Sequence, residues 1–153
     1  MILIGVISDT HGLLRPQAVT ALRGSSLIIH AGDVGHADII NTLRNIAPVV
    51  AVRGNIDRDP STSELPTTEL VQLDTRSLYV LHDLNDLDLD PPTAGFDVVI
   101  TGHTHKPKIE TKDGVLYFNP GSAGPRRFNL PIAVGRLVIS DNDVRGEIIE
   151  LQG

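Results

Sequence analysis

The chain has 153 residues, 41% of them hydrophobic, a formal net charge of −6 and no cysteine. The length suits one domain, expected over residues 1–153, and the apolar content is too high for a disordered chain. Thiolate catalysis, disulfides and cysteine-type zinc sites are excluded, and no basic stripe advertises nonspecific nucleic-acid binding.

The first nine residues, "MILIGVISD", are apolar but lack a basic leader, and the run ends at Asp9. That is too short for a signal peptide or a membrane span, so a cytoplasmic protein with no membrane partner is expected. Residues 2–8 predict a fully buried strand, short and rich in β-branched residues. Residues 15–24 carry Ala18, Val19 and Leu22 at helical spacing and end at Gly24. "SLIIHAGD" (26–33) predicts a second buried strand. Ile39, Ile40, Leu43 and Ile46 form a helical stripe over 37–46, stopped by Pro48. "VVAVRGN" (49–55) predicts a third strand, which completes a β-α-β-α-β run of parallel type.

The second half reads differently. Residues 58–68 are polar and turn-forming, and 69–82 predict two strands around a turn at Asp74–Arg76. An acidic connection over 83–95 contains Pro91 and Pro92 and leads to a buried strand over 96–102. A hairpin turn is expected at Asp113–Gly114, and a last strand pair, 131–140 and 143–150, around Asn142. The pattern predicts an α/β fold, a four-layer α/β sandwich of two mixed β-sheets flanked by helices.

The polar residues fall at the strand ends. "SDTHG" supplies Asp9 and His11, "HAGD" supplies Asp33, "RGN" supplies Asn55, and the later strands end at His82 and at "GHTH", with His103 and His105. Ligands bind at the C-terminal ends of parallel strands in open α/β sheets. Residues two apart in an extended segment point the same way, so Asp9 with His11, and His103 with His105, are expected to converge. Taken singly, Asp9 or Asp33 would serve as a helix cap, Asn55 as a turn residue and His82 as a hydrogen-bonded core histidine. Their coincidence at the ends of successive strands argues for a site. Two carboxylates, four imidazoles and one amide exceed what one ion needs and suit two ions sharing a carboxylate. Nitrogen and oxygen donors without sulfur fit Mn, Fe, Co, Ni or Zn better than Ca.

The motifs "DTHG" (9–12), "GD" (32–33), "GNID" (54–57), His82, "GHTH" (102–105) and the accessory "NPGS" (119–122) make the chain similar to the calcineurin-like metallophosphoesterases. The likeness is strongest to their small bacterial and archaeal phosphodiesterase branch and runs from residue 2 to about 150. The resemblance implies two divalent metal ions, manganese first, with Fe, Ni, Co and Zn as alternatives. It implies one ion on Asp9, His11 and His105, a second on Asn55, His82 and His103, and Asp33 bridging them. It further implies hydrolysis of a small phosphoester by a hydroxide held between the ions, with these seven residues as the catalytic set. Two departures stand out. Asp83 replaces the glycine usual after the fifth-block histidine, and Ile56 stands where phosphomonoesterases commonly carry a histidine.

Alternatives of another class stay open. The retromer subunit of the same fold is mainly an interaction scaffold, and a phosphomonoesterase or nuclease would use the same donors. A homo-oligomer is also open. Arg126 and Arg127 follow "NPGS" and read as structural, with phosphate contact the alternative. His30 reads as a core residue or a support behind the site, and His36 as the residue that opens the second helix.

Overall fold

The computed structural model describes residues 1–152. The first half contains β1 (Ile2–Ile7), α1 (Pro16–Leu22), β2 (Leu27–His30), α2 (Ala37–Leu43) and β3 (Val49–Ala51). After a turn-rich segment come β4 (Thr68–Leu73), β5 (Arg76–Leu81), a single 3₁₀ turn at Leu84–Asp86, α3 (Pro91–Ala94), β6 (Val98–Ile100), β7 (Lys108–Lys112), β8 (Val115–Asn119), β9 (Ala133–Ile139) and β10 (Val144–Glu150).

Two five-stranded sheets form, in the orders β10-β9-β1-β2-β3 and β4-β5-β6-β8-β7. Both are mixed. In the first, β1, β2 and β3 run parallel while β9 runs antiparallel to β1 and β10. In the second, β5, β6 and β8 run parallel between antiparallel edges β4 and β7. The β7–β8 hairpin turns through Asp113 (φ 52°) and Gly114 (φ 79°), the pair of left-handed residues that matches strand twist in a two-residue loop.

Between the sheets lies one apolar layer: Ile4, Val6 and Ile29 from the first sheet meet Leu78, Val80, Val98, Ile100 and Phe118 from the second. Helices α1 and α2 cover the outer face of the first sheet through Ala18, Leu22, Ile39, Ile40 and Leu43, packed with Ile7, Ile28 and Val134. The outer face of the second sheet is more thinly covered. Leu81, Val99 and Val115 are buried there with Tyr79, Leu84, Leu87 and Tyr117, and Tyr79 stacks on Phe96 with ring centroids 4.6 Å apart. The proline pair and the acidic run at 83–95 carry no helical stripe, so this fourth layer is reduced to the 3₁₀ turn and the four-residue α3. Among the described residues no helix is long and apolar enough to cross a membrane.

Strands β3 and β6 are shorter than their apolar runs. Each ends where the chain turns out of the sheet, before "RGN" and before "GHTH" respectively. The ends of β1, β2, β5 and β6 therefore meet at one rim of the sandwich, where the polar residues collect.

Candidate metal centre

The turns at the strand ends are tight. Asp9, His11, Asp33, His103 and His105 all adopt left-handed backbone angles, with φ of 57°, 48°, 56°, 72° and 63°. Such angles disfavour a residue with a Cβ and cost about 1–3 kcal/mol each, and they persist where the surroundings over-determine them. Convergence of these side chains thus comes from successive sharp turns. The extended alternation expected from sequence does not hold here, because the strands have already ended. Two glycines allow the turns to pack. A Cβ at Gly54 would lie 2.1 Å from Asp33 Oδ1, and one at Gly102 would lie 2.0 Å from Ser8 Oγ.

Each central side chain is anchored at one end and free at the other. Asp9 is fully buried; its Oδ2 accepts from Ser8 Oγ at 2.7 Å and from the His103 amide at 3.1 Å. Asp33 Oδ1 accepts from the Ile56 amide at 3.0 Å. His82 Nδ1 donates to the Ala31 carbonyl at 2.7 Å, which leaves the lone pair on Nε2. The free ends face one another. Asp9 Oδ1 lies 3.8 Å from His11 Nε2, 3.5 Å from His105 Nε2 and 3.8 Å from His82 Nε2. Asp33 Oδ2 lies 3.2 Å from His82 Nε2 and 3.7 Å from His11 Nε2. His11 and His105 approach through their Nε2 atoms at 3.3 Å.

Two groups that could hold a metal ion result, Asp9–His11–His105 and Asp9–Asp33–His82, each with donor atoms within 4.8 Å of one another. Asp9 is common to both groups, and Asp33 spans His11 and His82. The remaining two expected residues stand further out. The His103 side chain is 38% exposed and its Nε2 faces Asp83 Oδ2 at 3.6 Å, with the ring edge-on to His82. Asn55 is exposed and lines a cleft next to His82 and His103.

Asp9 Oδ1 and His82 Nε2 are buried without a hydrogen-bond partner, as is His105 Nδ1. An unsatisfied buried polar atom costs about 1–3 kcal/mol, and here a carboxylate oxygen and an imidazole lone pair point into the same space. The donor set therefore fits cations, and fits two divalent ions better than one.

Burial pushes the Asp9 carboxyl up to about 6. It also lowers His11, and it lowers His105 to about 4, with the Arg127 charge adding to both. For His82 burial acts downward, but Asp33 and Asp9 outweigh it and the net shift is upward. For Asp33 burial acts upward and is outweighed by His82 and the Ile56 amide, so its carboxyl is lowered. His11 and His105 are neutral near pH 7 and present lone pairs, the form a metal requires.

Several supports carry no obvious signal in the sequence. Asp57, 1% exposed, accepts from the amides of Gly54 at 2.9 Å, Gly35 at 3.0 Å and Val34 at 3.2 Å. It clamps the loops after β2 and β3 together; its place two residues after Asn55 in "GNID" was the available clue. Asn119 donates to the Gly102 carbonyl at 2.9 Å and to Thr104 Oγ1 at 3.2 Å, which braces the "GHTH" turn. Ser122 Oγ donates to the Asp9 carbonyl at 3.1 Å. His30 is fully buried. Its Nδ1 accepts from the Gly32 amide at 3.1 Å, so Nε2 carries the proton and donates to Thr10 Oγ1 at 3.0 Å. His36 opens α2, accepting from the Asp38 amide at 3.1 Å. Arg126 and Arg127 are exposed.

Residues 2–142 match the calcineurin-like phosphoesterase superfamily domain, and the chain belongs to that family. It is 38% identical to a probable metallophosphoesterase of Methanothermobacter thermautotrophicus, over 96% of this chain and 91% of that one. It is 31% identical to the phosphodiesterase YfcE of Escherichia coli K12, over 90% of this chain and 86% of that one. Among solved structures, a novel archaeal phosphodiesterase superposes with a TM-score of 0.80 at 25% identity, covering 97% of this chain and all of the other.

Proposed function

We propose that the chain, as one domain over residues 1–153, is a cytoplasmic phosphodiesterase that depends on two divalent metal ions, with manganese the first candidate. The observation that carries this is the pair of buried, unpartnered atoms Asp9 Oδ1 and His82 Nε2, aimed into the same space as Asp33, His11 and His105. Asp9, His11 and His105 would hold one ion, Asn55, His82 and His103 the other, and Asp33 would join the two. When bound, such a pair supplies Lewis acidity and lowers the pKa of bound water toward neutrality.

The chain's own groups do the rest. Ser8 and the His103 amide fix the Asp9 carboxylate so that one oxygen is always presented inward. The Ala31 carbonyl holds the Nδ1 proton of His82, which sets the tautomer. No cysteine exists, and no serine in the centre has a free hydroxyl beside a base, so the attacking group is water. Ile56 is 41% exposed at the rim and has no proton for a leaving alkoxide, which favours diesters and aryl esters over alkyl monoesters. A scaffold would gain nothing from buried donors left without partners, and a formal net charge of −6 advertises no basic groove for a nuclease.

The test is hydrolysis of bis(p-nitrophenyl) phosphate, p-nitrophenyl phosphate and an alkyl monophosphate by chelated and Mn²⁺-reloaded protein. Chelation should abolish turnover and Mn²⁺ restore it, with the diester cleaved best. Activity that survives complete chelation overturns the reading.

A further inference from the structure

The thin layer over the second sheet leaves a gap. A cleft of about 440 Å³ opens there, beside the 3₁₀ turn, and Leu84 and Tyr117 supply apolar surface to it. That volume lies within the range of small-molecule sites. None of the residues proposed to hold either ion lines it. It also shares no residue with the cleft beside His82: Asp83 and His103 line that one, and their neighbours Leu84 and Thr104 line this one.

The polar groups of the cleft all donate. In the sheet Val99 of β6 stands opposite Tyr117 of β8, and both face outward with the thin layer. Thr101, two residues beyond Val99, continues that row. Thr101 is only 7% exposed. Its amide donates to the Phe118 carbonyl at 3.0 Å. Its hydroxyl has no partner among the described residues and is not sealed from solvent, so it opens into the cleft that Thr101 lines. Thr104 Oγ1 already accepts from Asn119 Nδ2 and from the Lys106 amide, each at 3.2 Å, which leaves its own proton to give. Lys108 is paired with Glu110 at 2.8 Å, whereas Lys106 has no ion pair among the described residues. No aspartate or glutamate lines the cleft. An occupant therefore meets two hydroxyl donors, one uncompensated ammonium and an apolar wall. That set suits a single negative charge with at least two acceptor atoms, carried on an apolar body.

We propose that this cleft is a binding site for a small aromatic monocarboxylate, with Thr101, Thr104 and Lys106 on the carboxylate and Leu84 and Tyr117 against the ring. It stands apart from the phosphodiesterase reading, because such a ligand has no ester to cleave and its binding is read without turnover.

The test is calorimetric titration of benzoate, benzamide and acetate into Mn²⁺-loaded and into chelated protein. Benzoate should bind with a Kd of about 1 mM or below. Benzamide, which lacks the charge, should bind at least about fivefold more weakly, and acetate, which lacks the ring, at least about tenfold more weakly. Salt should shrink the gap between benzoate and benzamide. Thr101→Val, which keeps the shape and removes the hydroxyl, should weaken benzoate by about threefold or more, and Lys106→Gln by a similar factor. Benzoate that shows no saturable binding overturns the proposal, as does equal affinity for benzamide. Affinity unmoved by both variants, or binding that disappears on chelation, overturns it too, since the ligand would then sit elsewhere or on the metal ions.

Discussion

On one side of the centre Asp9, His11 and His105 are gathered behind the surface, with Asp9 fully buried and His105 only 3% exposed. On the other, Asp33 and His82 are equally deep, but His103 turns toward Asp83 and Asn55 lies in the open cleft. The first side is set before any ion arrives. To hold an ion as proposed, the second would still have to draw in His103 and Asn55 at the expense of their rotamer freedom, which weakens binding. On the proposed assignment the fold would offer one closed site and one adjustable site, the adjustable one facing the cleft that Asn55, His82 and His103 line. A permanent ion on the closed side and an exchangeable ion on the cleft side is the division of labour this predicts.

The sharpest way to break that division is to remove Asp33, the carboxylate proposed to join the two ions. Asp33→Ala should cut turnover of bis(p-nitrophenyl) phosphate by about 10³-fold or more and lower metal content toward zero, read by elemental analysis of the purified protein. Near-normal turnover with two ions retained would remove Asp33 from the account. Smaller and more selective effects should separate the sides. His105→Ala should strip the closed side, whereas His103→Ala should leave about one ion per chain and regain activity at high Mn²⁺.

Asp57→Ala should follow in size. It leaves three loop amides unsatisfied, at about 1–3 kcal/mol each before water relieves them. Urea unfolding should show the lost stability, and metal affinity should fall by about 10–100-fold although Asp57 touches no ion. Unchanged affinity would mean the two loops hold without the clamp. Ile56→His should raise the alkyl monoester rate selectively, up to about 10²-fold, if the ring reaches the leaving oxygen. An equal rise for the aryl diester would point to a general effect.

A separate effect appears in acid. Burial lowers His30 from 6.5 to about 3, so the folded protein binds fewer protons than the unfolded chain between those values. The stability His30 contributes is therefore fully present above pH 6.5 and drains away as pH falls toward 3. In metal-free protein, Asp9, raised to about 6, acts with the opposite sign below that pH. The clean observable is the difference between the wild type and His30→Gln: urea midpoints at pH 7, 5 and 4 should converge as the pH drops. A gap that widens in acid would contradict the neutral assignment of His30.

Much of this was legible in the residues. The buried strands announced themselves by apolar runs, and the five motifs at their ends pointed to one rim. What the sequence could not carry was the local geometry. Apolar content does not say that β3 and β6 stop after three residues, because the runs continue into the turns. Spacing by two suggested extended convergence for Asp9 and His11, while left-handed turns deliver it. The thin layer over the second sheet follows from Pro91, Pro92 and the acidic run, which deny the connection a helical face. Asp57 escaped a functional reading because its role is to accept from backbone amides, two of them in the loop after β2, and spacing within "GNID" does not reveal that reach.

Titration calorimetry of Mn²⁺ into chelator-stripped protein, run in parallel on the wild type, His105→Ala and His103→Ala, tests the unequal two-ion centre most directly. The wild type should bind two ions in two steps, with the tight step lost in His105→Ala and kept in His103→Ala. A single ion in the wild type, or loss of the same step in both variants, would contradict it.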